Sequence, residues 1–127
     1  MVTFRNPIDS IASWHKYPSR GELQSDVSFY IRFYSAVIDK IHKIVLMDFD
    51  YFTKDINYIK DKVSNGFNLT AIQDVTDSQV KEAMLLNNKE INLPRNNNEE
   101  LNPVKLLLQD LPDFARCIDL HRELKTL

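Results

Sequence analysis

Two aspartates, Asp48 and Asp50, are the residues whose type and spacing could support chemistry. They follow four apolar residues at positions 44–47, so a hydrophobic strand here would end in a pair of carboxylates. Carboxylate oxygens bind magnesium, and a carboxylate so placed can also attack phosphorus. A metal-assisted phosphotransferase is therefore one interpretation of this stretch.

The segment KIVLMDFDYFT, residues 43–53, resembles the first motif of the haloacid dehalogenase superfamily. In that motif a hydrophobic strand ends in Asp-x-Asp, and a Thr or Val follows after one further residue. The resemblance implies a magnesium-dependent, phosphatase-like enzyme in which Asp48 and Asp50 are nucleophile, acid/base group and metal ligands. The pattern departs at its last position, where Phe52 stands and Thr53 comes one residue late. The family's sheet also uses glycine, and this chain has only two glycines.

The same stretch also has the periodicity of a helix. Apolar residues recur at alternating steps of four and three from Leu23 to Ile44, and again from Val45 to Val63. The slip of one residue between the two series is typical of a stutter in a long helical seam. We therefore expect one helix over about residues 22–64, on the order of 60 Å long, with the two aspartates on or near its solvent side. This interpretation is favoured over the strand.

The rest of the chain predicts shorter helices packed on the long one. An Asn as N-cap followed by Pro is typical of a helix start and occurs at Asn6-Pro7. The fold class is therefore all-α, a single domain over residues 1–127, built as a helical bundle around one long central helix. The further predicted elements are a helix over about residues 7–17, a helix over about 71–89, an Asn-rich loop over about 91–102, and C-terminal helices over about 103–110 and 112–126.

Composition limits the functions that remain. The formal net charge is −2, so no overall field attracts nucleic acid or an anionic membrane. No apolar run reaches the length of a membrane span, and the N-terminus lacks the apolar core of a secretory signal. The lone cysteine, Cys117, has no internal disulfide partner, which weakly fits a reducing compartment. We expect an intracellular protein with no cofactor, no metal and no membrane partner.

Other candidate sites are incomplete. Cys117 and His121 have the i, i+4 spacing of half a zinc site, but a second pair at ligand spacing is missing. The N-terminal region is mildly basic, which leaves nucleic-acid binding by a helical protein as an alternative function. The basic residues of that region are Arg5, His15, Lys16 and Arg20.

An aromatic-rich helical surface is the most informative feature. The apolar side chains of the long helix cover more than one stripe, and a helix of this kind must be covered on several sides. We therefore expect a non-catalytic protein–protein interaction module: a complex subunit, or a small inhibitor or adaptor, whose coiled-coil-like seam binds itself or another chain. The candidate interface residues are Trp14, Phe29, Tyr30, Phe33, Tyr34, Val37 and Ile41.

Overall fold

The chain folds mainly into helices. The computed structural model describes residues 1–15, 22–69, 76, 78, 79, 82 and 101–127. This helical content agrees with the all-α prediction in its broad form, although the described residues also include a short two-stranded sheet. The elements are β1 (Val2–Phe4), α1 (Pro7–His15), α2 (Leu23–Asp39), a 3-10 turn (Ile41–Lys43), β2 (Leu46–Asp48), α3 (Phe49–Phe52), α4 (Ile56–Phe67), α5 (Asn102–Gln109) and α6 (Phe114–Thr126).

The predicted single helix over residues 22–64 is wrong. Helix α2 ends at Asp39, and the chain then passes through the 3-10 turn into β2 before helices α3 and α4 begin. The slip between Ile44 and Val45 lies in this non-helical connection, so it is not a stutter. Both residues are β-branched and introduce a short apolar run, which favours a buried strand over a helix.

Strand β2 pairs in parallel with β1, an element that the sequence analysis did not predict. The Val2 N–H donates to the Val45 carbonyl at 2.9 Å. Parallel strands need a crossover connection, which α1 and α2 provide here. The sheet register pairs Val2 with Leu46, Thr3 with Met47 and Phe4 with Asp48.

The first predicted seam is the buried face of α2. Its central residues are buried in a core where α2 packs against α1 and α6. The alternating spacing of four and three residues therefore predicted the buried face correctly within α2. The prediction that the same helix continues beyond Asp39 was wrong. The buried residues of the seam are Val27, Tyr30, Tyr34 and Val37.

Two tyrosines of α2 cover the edge of β1 that faces away from β2. The Tyr34 hydroxyl donates to the Thr3 carbonyl at 3.0 Å, and the Tyr30 hydroxyl donates to the Arg5 carbonyl at 3.0 Å. An uncovered strand edge presents unpaired backbone groups, and buried carbonyls without partners are costly. The tyrosines thus attach the N-terminal strand to α2.

Helix α4 approaches β2 closely at Gly66. A Cβ atom built on Gly66 would overlap the Val45 side chain, so only glycine permits this approach. The helix starts with the Asp55 carboxylate accepting from the Asn57 N–H at 2.9 Å. It ends past the predicted residue 64, at Phe67, and its C-cap residue Asn68 has a left-handed φ of 52°. Asparagine tolerates that conformation at a helix C-terminus.

The terminal helices lie close to their predicted positions. The predicted helices over 103–110 and 112–126 correspond to α5 and α6 within about two residues, and the predicted helix over 7–17 corresponds to α1 as far as His15, since residues 16 and 17 lie outside the described residues. The Asn6 side chain caps α1 by accepting from the Ile8 N–H at 3.0 Å. Apart from residues 76, 78, 79, 82, 101 and 102, the predicted helix over 71–89 and the loop over 91–102 lie outside the described residues.

Candidate functional site

The acidic pair lies at the C-terminal end of β2. Asp48 is the last residue of the strand and is only 7% exposed, whereas Asp50 lies in the first turn of α3 and is exposed. The Asp48 carboxylate accepts from the Asp50 N–H at 2.9 Å and so caps α3. The Asp48 N–H donates to the Tyr58 hydroxyl oxygen at 2.7 Å. The strand of the phosphatase-like alternative is therefore present, but one carboxylate oxygen is already committed to the backbone.

A metal site on this pair would need further ligands. Within the described residues, no group of three or more His, Cys, Asp or Glu side chains is placed to hold a metal ion. Magnesium takes near-octahedral oxygen coordination and is often held by only one or two carboxylates, with waters and phosphate oxygens completing its shell. The contact that the Asp48 carboxylate makes in this structure is the N-cap of α3.

The Cys117 and His121 pair is packed into the protein interior. Cys117 is buried, its thiol donates to the Val27 carbonyl at 3.9 Å, and burial raises its pKa to about 11. His121 meets the Phe4 ring edge-on, with centroids 5.9 Å apart. Its Nε2 atom is buried without a hydrogen-bond partner in the described part of the chain. Burial lowers the pKa of His121, and the charge of Lys125 lowers it further. The charges of Asp48 and Asp50 act in the opposite direction, but the pKa stays below its ordinary value.

An open cleft lies between the 3-10 turn, β2 and α4. Its volume is about 680 Å³, and Gly66 lines it where α4 approaches the strand. Its polar lining includes His42, Lys43, Asp61 and Lys62, and its apolar lining includes Ile44, Leu46 and Phe67. The cleft therefore offers both polar and apolar contacts.

The aromatic ridge, which we define as Trp14, Phe29 and Phe33, is a row of rings in which the two phenylalanines are exposed and Trp14 is half-buried. The rings of Phe29 and Phe33 are stacked, with centroids 6.0 Å apart and planes 16° from parallel. The Trp14 ring meets Phe29 edge-on at 5.7 Å. Each phenylalanine is 40% exposed. Because Phe29 and Phe33 are four residues apart on α2, they project from the same side of a rigid helix.

The remaining predicted interface residues are used differently. Tyr30, Tyr34 and Val37 are buried in the core of the chain itself, so they are not part of its surface. Ile41 lies in the 3-10 turn and is half-buried. The structure thus separates the predicted set into an internal group and the aromatic ridge. The sequence did not distinguish them because both have helical spacing and differ by only one residue in phase.

The basic N-terminal residues take part in contacts within the fold. The Arg5 guanidinium lies over the Phe49 ring, 4.8 Å from its centroid. The His15 Nδ1 atom is 3.0 Å from an oxygen of the buried Asp26, which links α1 to α2. Lys16 and Arg20 lie outside the described residues.

Comparisons of the chain with models of protein families, with curated proteins and with solved structures found no match. No helix in the described residues has the length and apolar character needed to cross a bilayer.

Proposed function

We propose that this chain is a non-catalytic protein–protein interaction module that binds its partner through the aromatic ridge. It acts as a subunit of an assembly, or as a small inhibitor or adaptor. The observation that carries the proposal is the stacked, 40%-exposed pair of Phe29 and Phe33 on a helix whose adjacent face is buried in the core.

Exposed aromatic rings in a row are a recognised feature of binding surfaces. Aromatic residues are enriched at the centres of protein interfaces, where they contribute much of the binding energy. Phe29 and Phe33 are held by α2, whose adjacent face is fixed in the core, so binding would cost little conformational entropy. The pair is therefore a preorganised apolar contact.

Polar residues flank the ridge along one side of α2. Ser25, Arg32 and Asp39 are exposed and follow one another at seven-residue intervals beside the two phenylalanines. An apolar centre with a polar margin is the usual anatomy of an interface between chains that also exist separately. This distribution supports a reversible association.

The alternatives have weaker support. Enzymatic use of Asp48 would compete with its capping of α3. Nucleic-acid binding would need several uncompensated cations, whereas Arg5 packs on Phe49 and His15 contacts Asp26. We therefore assign binding to the ridge.

Affinity purification from the native host, with mass spectrometry of what is retained, tests this proposal. The bait is the full chain carrying Phe29→Ser and Phe33→Ser. We expect it to retain a specific partner at least about tenfold less than the unchanged chain, because truncation of interface aromatics commonly costs more than a factor of ten in affinity.

A matched control removes two other exposed apolar side chains. Leu106 and Leu107 of α5 are 65% and 61% exposed, so Leu106→Ser with Leu107→Ser removes similar apolar surface elsewhere. The control should retain the partner. Equal retention by both variants, or loss in the leucine variant alone, would refute the assignment to the aromatic ridge.

A further inference from the structure

A stripe of exposed residues runs along the whole outer side of α2. Its members are three or four residues apart, a spacing that keeps side chains on one side of a helix. It begins at the residue before the helix, ends at the residue after it, and is about 27 Å long. The stripe consists of Glu22, Ser25, Phe29, Phe33, Ala36 and Lys40.

The order of residues in the stripe is self-complementary when it is reversed. Consider an antiparallel pair of identical helices whose two-fold axis passes at the level of residue 31. A residue of one copy then faces the residue of the second copy for which the two residue numbers add up to 62. Phe29 of one copy then faces Phe33 of the second copy, and Glu22 faces Lys40. The small side chains of Ser25 and Ala36 fall between these contacts, where they permit close approach of the helices.

We propose, on the basis of the proposed function, that the partner at the aromatic ridge is a second copy of this chain, bound antiparallel along α2. The two-fold axis generates two Phe29–Phe33 contacts at the centre and two Glu22–Lys40 pairs at the ends. A parallel pair would instead place Glu22 against Glu22 and Lys40 against Lys40. The end charges therefore select the antiparallel orientation.

The centre and the ends of the stripe have different roles. The four phenylalanine rings form the desolvated contact and contribute most of the affinity. The exposed ion pairs contribute little affinity and mainly fix register and direction. Arg32 is exposed at one margin of the stripe, where its long side chain can extend into solvent beside the axis. The contact is narrower than a standard interface, so we expect a dissociation constant in roughly the micromolar range.

Sedimentation velocity of the purified full chain over a range of concentrations tests this inference. The mass of the unchanged chain should rise from one copy towards two as its concentration increases. Glu22→Lys and Lys40→Glu, each alone, should weaken dimerisation roughly three- to tenfold, because each turns two attractive end pairs into repulsive ones.

Two combinations should restore the dimer. In an equimolar mixture of the single variants, the introduced lysine of one chain faces the introduced glutamate of the other, and the remaining Lys40 faces the remaining Glu22, so mixed dimers should form. The double variant E22K/K40E restores opposite charges within one kind of chain. It also places a lysine at the N-terminal end of α2 and a glutamate at its C-terminal end, and both charges are unfavourable to the helix dipole. Recovered dimerisation could therefore not be explained by a more stable helix.

The results that overturn the inference differ from those that overturn the proposed function. A single-copy mass at every concentration, unchanged dimerisation of the single variants, or no recovery in the mixture would each refute the second-copy partner. The aromatic ridge would still stand as a binding surface if Phe29→Ser with Phe33→Ser lost another host protein. Retention of all host proteins by that variant would refute the proposed function itself.

Discussion

At the scale of single residues, the tyrosines of α2 have a role beyond their apolar rings. Tyr30 and Tyr34 are buried, as the heptad pattern predicts for residues of the seam. Their hydroxyls also cover the outer carbonyls of β1, which could not be predicted because the strand itself was not recognised. Burial raises the pKa of Tyr34 to about 12, so its hydroxyl remains a donor at neutral pH.

Replacement of Tyr34 by Phe should lower the free energy of unfolding by about 1–3 kcal/mol. The change removes only the donor and leaves the Thr3 carbonyl without its partner. Urea denaturation followed by circular dichroism measures the effect. Phe33→Tyr is the control, because it adds an exposed hydroxyl on the same helix and should change stability by less than about 0.5 kcal/mol. Similar losses in both variants would contradict the role of the Tyr34 hydroxyl.

His121 should make the folded state less stable in acid. Its pKa is lowered below the ordinary value of 6.5, chiefly by burial, so the folded state favours the neutral ring. The unfolded chain takes up the proton first, and stability is lost as the pH falls below 6.5 towards the folded-state pKa.

Urea denaturation between about pH 7.5 and pH 5 measures this dependence. His121→Gln should have a shallower loss of stability over that interval than the unchanged chain. His42→Gln, which alters an exposed histidine, should follow the unchanged chain. If the acid sensitivity stays the same in His121→Gln, another group is responsible.

At the scale of elements, local signals predicted the terminal helices but not the break after α2. Asn6-Pro7 located the start of α1 because capping is determined by neighbouring residues. The run at 44–47 fits either a buried strand or a buried helix, and length and periodicity favoured the helix. The deciding interaction is the pairing of β2 with β1, which lies more than 40 residues earlier in the chain. A pairing this distant leaves no local periodic signal.

The contact between α4 and β2 should depend on Gly66. Gly66→Ala places a methyl group against the Val45 side chain and should lower stability by about 1–3 kcal/mol through overpacking. Thermal melts of Gly66→Ala, Val45→Ala and the double variant form a double-mutant cycle. Because Val45→Ala removes the atoms that overlap, the double variant should be less destabilised than the sum of the single variants. Strict additivity would contradict the close approach.

At the scale of the whole molecule, the fold divides the aromatic residues of α2 between two tasks. One group joins β1, α1 and α6 into a single core, and the other forms the aromatic ridge. The sequence predicted an excess of apolar surface on this region but assigned it to a helix more than twice as long as α2. Because α2 is short, fewer apolar residues lie at the surface than this prediction implies, and the exposed large apolar side chains of α2 are Phe29 and Phe33.

Site-specific photocrosslinking tests the central claim, that the outer side of α2 contacts another protein chain, most directly. A benzophenone amino acid at Ala36, which is exposed three residues after Phe33, would lie within the proposed contact. The control position is Asn57, which is exposed on α4. With purified protein and in native-host extract, we predict a discrete covalent product of two chains from position 36 and none from position 57. No product from position 36 in either sample, or equal products from both positions, would contradict the proposed binding surface, whereas a product in extract alone would contradict only the second-copy partner.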